Sequence, residues 1–185
     1  MAVENEIALL LTPETVEALC RETIKQARST SHALAALISL QSFIAATARP
    51  SDRHTGSYEA VKTVVEQHAA EMRARILAEN AEALAQAIRL RNLAEVARRH
   101  SALSRNGFWQ AVLQAIRQFG PDELDVAAAW ANDWCRDAKA SAQAASGFPD
   151  ALDFRKAGVS ASEYAAMSEI NVYLAEAAQG IKENP

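Results

Sequence analysis

The stretch Tyr58–Phe119, YEAVKTVVEQHAAEMRARILAENAEALAQAIRLRNLAEVARRHSALSRNGFWQAVLQAIRQF, decides the fold. It holds one glycine and no proline, and it is rich in Ala, Glu, Gln and Arg, the residues that cost least in a helix. Its apolar positions fall at helical spacing: Tyr58, Val61, Val65, His68/Ala69, Met72 and Ile76. The phase then slips to Leu77, Ala81, Leu84 and Ile88, and again to Leu90, Leu93, Ala97 and His100. Slips of this kind predict bending, or a break at Asn92, which can cap a new helix with Glu95 as its capping-box partner. Phe108, Trp109, Val112, Leu113, Ile116 and Phe119 follow as the best apolar face in the chain.

The same reading extends outward. Thr12-Pro13-Glu14 starts a helix, and Leu11 can staple onto Val16. Its stripe is interrupted by Arg28-Ser29-Thr30-Ser31-His32, which marks either a kink or a true break, and resumes through Leu34, Leu37/Ile38, Gln41 and Ile44. Arg49-Pro50 stops it. Phe119-Gly120-Pro121 ends one helix and opens the next, which carries Trp130 and Trp134 one turn apart and ends at Gly147. Ser160, with Glu163, opens a last helix that Gly180 ends. The expectation is a single all-α domain over 1–185, with helices at about 13–48, 57–90, 92–119, 121–146 and 160–180 and linkers at 49–56 and 147–159. These about five helices would form an elongated bundle with coiled-coil-like packing. No period-2 apolar strand and no internal repeat is visible.

Composition narrows the function. Half of the 185 residues are hydrophobic, but many of those are alanine and only 6% of the chain is aromatic. Alanine buries little area, so each helical turn gains little from packing. The charge is uneven: residues 53–118 hold ten Lys/Arg against six Asp/Glu, whereas 119–185 hold five against eleven. The basic part centres on Arg89, Arg91, Arg98, Arg99 and Arg105, with Glu95 the one local acid. It is a candidate surface for a protein partner. Nucleic acid is disfavoured, because the pI of about 5.6 and the absence of a recognition module do not fit it.

Cys20 and Cys135 stand apart in no CxxC, which fits reduced thiols in a cytoplasmic protein. The acidic start MAVENEIALLL makes a poor signal peptide, and Ala33–Ala48 looks too short and too polar to span a bilayer. His68 and Glu71 form an isolated HxxE without the second copy that a di-iron bundle needs. No phosphate loop, nucleophile elbow or metal-ligand set is present. The sequence therefore calls for no metal, no cofactor and no catalytic residue.

One stretch resembles a family. Ala78-Glu79-Asn80-Ala81-Glu82-Ala83-Leu84-Ala85-Gln86-Ala87, then Asn92-Leu93-Ala94-Glu95-Val96, then Ser101–Gln114, is similar to the phasins, small helical proteins that coat polyhydroxyalkanoate granules inside bacteria. The shared pattern is an Asn near the start of an Ala/Leu/Gln-rich helix, a short break carrying Asn-Leu-x-Glu-Val, and a second amphipathic helix, over about residues 57–118. His100, the cysteines, Gly120-Pro121 and the tryptophan pair depart from it. The resemblance implies a non-catalytic, oligomeric protein that coats hydrophobic polyester granules. The face expected to meet the granule is Phe108, Trp109, Val112, Leu113, Ile116 and Phe119, with Trp130 and Trp134. The alternatives are a helical adaptor or regulator acting through the basic cluster, and a ligand-binding or enzymatic bundle with an enclosed polar pocket.

Overall fold

The computed structural model describes residues 12–48 and 56–183, with the side chains of 181–183 left undescribed. The described residues are all-helical, with no strand and seven helices: α1 (Pro13–Gln26), α2 (Thr30–Thr47), α3 (Gly56–Arg89), α4 (Leu93–Ala102), α5 (Arg105–Ile116), α6 (Pro121–Ser146) and α7 (Ala161–Glu183). Two of the five expected helices are therefore split. The first breaks because Ala27 turns extended and Ser29 accepts a hydrogen bond from the His32 N–H at 3.2 Å, starting α2 afresh. The third breaks at Leu103-Ser104, where the Ser104 hydroxyl accepts from the Gly107 N–H at 3.2 Å. Serine hydroxyls are good caps, and both breaks sit on one. At the other end, α7 runs through Gly180 to Glu183, since glycine inside a helix costs only about 1 kcal/mol and does not by itself end one.

Other boundaries follow the expected chemistry. Thr12 and Thr15 form a reciprocal capping box. Asn92 caps α4 by accepting from the Glu95 N–H at 3.1 Å. The box there is half-formed, because the Asn92 N–H already donates to the Ala87 carbonyl at 2.8 Å. Gly147 ends α6 in the left-handed region at φ 73°, where a residue without Cβ is favoured. The expected staple from Leu11 and the linker 49–55 lie outside the described residues.

The chain divides into two compact units, Met1–Ile76 and Leu77–Pro185. The core of unit 1 is Val16 and Cys20 from α1, Ala33, Leu37 and Ile44 from α2, and Val61, Val65, Ala69 and Met72 from α3. Among the described residues it contains no buried aromatic ring. The core of unit 2 draws Ala81, Leu84, Ala85 and Ile88 from α3, with Val96, Phe108, Val112, Leu124, Met167, Ile170 and Leu174 from α4 to α7. The division explains the phase slip in the sequence. From Met72 to Ala81 is nine residues, about two and a half turns, so the second stripe does not continue the first. One unbroken helix of 34 residues supplies a stripe to each core, and the slip near Leu77 falls at the unit boundary.

Candidate functional site

The apolar face of α5 lies mainly inside the protein. Phe108 and Val112 are fully buried, and Ile116 and Phe119 nearly so. The edge of Phe108 meets the His100 ring, with centroids 4.8 Å apart and planes at 89°. These four residues therefore pack within unit 2: Phe108, Val112 and Ile116 offer almost no outer surface, and Phe119 shows only where it lines a groove. Leu113 is half-buried, and Trp109 remains 40% exposed. Trp130 and Trp134 pack partly against the same core. Trp134 also neighbours Tyr164 (6.5 Å between centroids), and Tyr164 stacks on Phe154 at 4.5 Å. Periodicity found the right face of α5 but could not say that α3, α4, α6 and α7 would cover it.

What remains open on unit 2 is a groove beside it. A cavity of about 280 Å³ is lined by Ile88, Phe119, Val126, Ala127 and Trp130, with Arg89, Arg91 and Glu123 at its polar margin. Val126 is 58% exposed, and Leu90, next in the chain to Arg91, is 75% exposed. Sequence reasoning missed Val126 as a surface residue. Its signal was its position off the Leu124–Ala127/Ala128–Ala131 stripe of α6.

The five arginines separate into paired and unpaired groups. Arg89 lies against Glu123 (Nε–Oε1 2.6 Å), donates to the Gln118 carbonyl at 3.1 Å and covers the Phe119 ring at 4.9 Å. That contact holds the Glu123 carboxyl below the usual carboxylate range. Arg98 forks onto both oxygens of Glu95 at 2.6 Å each, and Arg99 adds Nε–Oε1 at 2.7 Å. Hydrogen bonds from Arg98 and Arg99 bring the Glu95 pKa down to about 2. Arg99 also donates to Oδ1 of the buried Asn80 at 2.7 Å, tying α4 to α3. Arg91 and Arg105 have no carboxylate within ion-pair distance among the described residues.

Arg91 is unusual in its backbone as well. Its φ of 52° is the one positive non-glycine value among the described residues. It stands just past the end of α3, where its N–H donates to Ile88 O (3.1 Å) and the following Asn92 N–H to Ala87 O. That is a Schellman ending, in which glycine usually takes the left-handed place. A side chain there costs about 1–2 kcal/mol.

The histidines join helices. His68 Nε2 lies 2.9 Å from Glu17 Oε2, and this bond lowers the Glu17 pKa. His68 Nδ1 lies 3.5 Å from Glu71 Oε2, within ion-pair distance yet outside hydrogen-bond geometry. The two carboxylates engage different ring nitrogens, so they do not converge on one ion. His100 Nε2 meets Glu169 Oε2 at 3.2 Å. No group of three His, Cys, Asp or Glu side chains suited to a metal occurs among the described residues. Cys20 and Cys135 are free thiols whose pKa burial pushes up, with Glu17 adding to the effect at Cys20.

Comparison with protein-family models, with curated proteins and with solved structures finds no match for this chain.

Proposed function

We propose that this is a non-catalytic, phasin-like protein that coats a hydrophobic polyester surface inside a bacterial cell. In that setting its helices pack as an elongated, coiled-coil-like bundle and copies of the chain associate. The observation that carries the reading is the open groove of unit 2. It has an apolar floor of Ile88, Phe119, Ala127 and Trp130, exposed Val126 on its wall, and the unpaired Arg91 guanidinium at its edge. A polyester surface presents alkyl groups and ester carbonyls. The floor suits the first, and a guanidinium without a carboxylate partner can donate hydrogen bonds to the second. Exposed Leu90 beside Arg91 extends the apolar margin.

The test is partitioning onto polyester particles. Leu90→Ser with Val126→Ser removes exposed apolar area while leaving the core intact. The double variant should keep its helical circular dichroism and bind the particles at least about tenfold more weakly. A folded double variant that binds as well as the parent overturns the reading. The alternative, an adaptor that binds another protein through the basic cluster, would run through Arg91 and Arg105, because Arg89, Arg98 and Arg99 are engaged within the chain.

A further inference from the structure

One wall of the unit 2 groove is a regular strip. Glu123, Val126, Ala127 and Trp130 line it from α6, and they follow one another at steps of three, one and three residues. At that spacing they share one helical face about 10 Å long. Ile88 from α3 and Phe119 complete the apolar lining. The cavity of about 280 Å³ has room for roughly nine water-sized groups at about 30 Å³ each. That suits one short alkyl chain lying along the strip. It falls just below the range of about 300–1,000 Å³ that holds drug-sized ligands.

The charges of the groove do not balance. Arg89 forks onto Glu123, with Nε–Oε1 at 2.6 Å and an NH2–Oε2 contact at 3.4 Å, so these two offset each other. Arg91 is left as the one lining cation without a carboxylate within ion-pair distance among the described residues. Its side chain is exposed, and its φ of 52° is a position that glycine would fill without strain. The chain thus keeps a guanidinium at the margin of an apolar groove at a cost to its backbone. A neutral ester accepts hydrogen bonds from that group but does not answer its charge. A carboxylate matches both the charge and the forked pair of N–H donors, as Glu123 does for Arg89. Helix α2 is the contrast. It is the one described helix long and apolar enough, by length and composition, to cross a membrane, and it leaves Ile38 and Phe43 exposed. From Thr30 to Thr47 it has no Asp, Glu, Lys or Arg, so it carries no charge with which to select a ligand.

We propose that the groove of unit 2 binds a single medium-length aliphatic carboxylate, with its head group on Arg91 and its chain along Val126, Ala127 and Trp130. This goes beyond the coating of a polyester surface. It uses the same groove, but the ligand is a free small molecule and no polymer is required.

The test is isothermal titration calorimetry of the full chain with octanoate near neutral pH. Octan-1-ol supplies the same chain without the charge, and acetate supplies the charge without the chain. Octanoate should bind saturably at one site per chain and at least about tenfold more tightly than either comparator. Arg91→Gln keeps a side chain at the left-handed position and should weaken octanoate at least about tenfold while leaving octan-1-ol unchanged. Arg91→Lys, which keeps the charge without the fork, should fall between the two. Because Arg91 is exposed, both variants should keep the parent's helical circular dichroism. No saturable octanoate binding overturns the proposal, as does equal binding of octanoate and octan-1-ol. An Arg91→Gln variant that binds octanoate like the parent also overturns it. A chain that holds to polyester particles but ignores octanoate sinks this proposal and leaves the coating reading standing. One that binds octanoate through Arg91 but ignores polyester does the reverse.

Discussion

The two units use the same kind of helix to different ends. Unit 2 buries Phe108 and Phe119 and packs Trp130, Trp134 and Tyr173 against the same core, so it gains from large side chains. Among the described residues, unit 1 makes its core from Val, Leu, Ile, Met, Ala and Cys, with Tyr58 as the one aromatic side chain half-buried at its margin. Burial of an aromatic side chain removes about 150–250 Å² from water. Unit 2 is therefore the better-anchored half, while among the described residues of unit 1 the α2 side chains Ile38 and Phe43 stay exposed. An amphipathic stripe establishes that a helix packs, but the size of the residues in the stripe sets how firmly.

Four substitutions, one of them read against pH, test that difference. The largest effect should come from the cores. Phe108→Ala should cost unit 2 about 3–5 kcal/mol, enough to expose its amides to hydrogen exchange throughout α4 to α7. Leu37→Ala should cost unit 1 about 2–5 kcal/mol and act on α1 and α2. If either change loosened both units equally in exchange measurements, the division at Ile76/Leu77 would not describe how the chain unfolds.

A smaller effect, of opposite sign, should come from Arg91→Gly. Relief of the left-handed backbone should raise thermal stability by about 1 kcal/mol, while loss of the guanidinium weakens binding to polyester particles. Stability and binding moving together would separate Arg91 from the groove.

The smallest effect should be acid-linked. The folded Glu95 pKa of about 2 lies below the ordinary glutamate value of 4.5, so its contribution is fully present above pH 4.5. It is lost as pH falls toward 2. Glu95→Gln should flatten that part of the pH–stability curve for unit 2 and leave unit 1 unchanged.

Much of the helical layout was legible because its signals are local. Thr12, Asn92, Ser160 and Gly147 each act within one turn, and the structure uses all four at helix ends. Pro121–Ser146 was legible to the residue, since Gly120-Pro121 and Ser146-Gly147 bracket it. What stayed illegible depends on other segments. The slip at Leu77 was visible, but nothing local says that a second core begins there. The face Phe108–Phe119 reads identically whether it meets solvent or another helix, and only the fold shows four of its residues to be interior. Arg91 gave no sign of its left-handed backbone, because glycine is the usual mark of that ending. Arginines that looked like one cluster separated once Glu123, distant in sequence, was found against Arg89.

The lack of charge on α2 carries a consequence for solution conditions. Ionic contacts at a surface weaken as salt shortens the Debye length to about 8 Å at physiological strength. Anything that Arg91 attracts is subject to that screening. A contact made through Ala35, Ile38, Ser39, Ser42, Phe43 and Ala46 contains nothing for salt to screen, and stronger salt tightens apolar association if it acts at all. A rise in ionic strength would thus weaken only a charged ligand at Arg91, and would leave the apolar groove floor and the exposed side of α2 as they are.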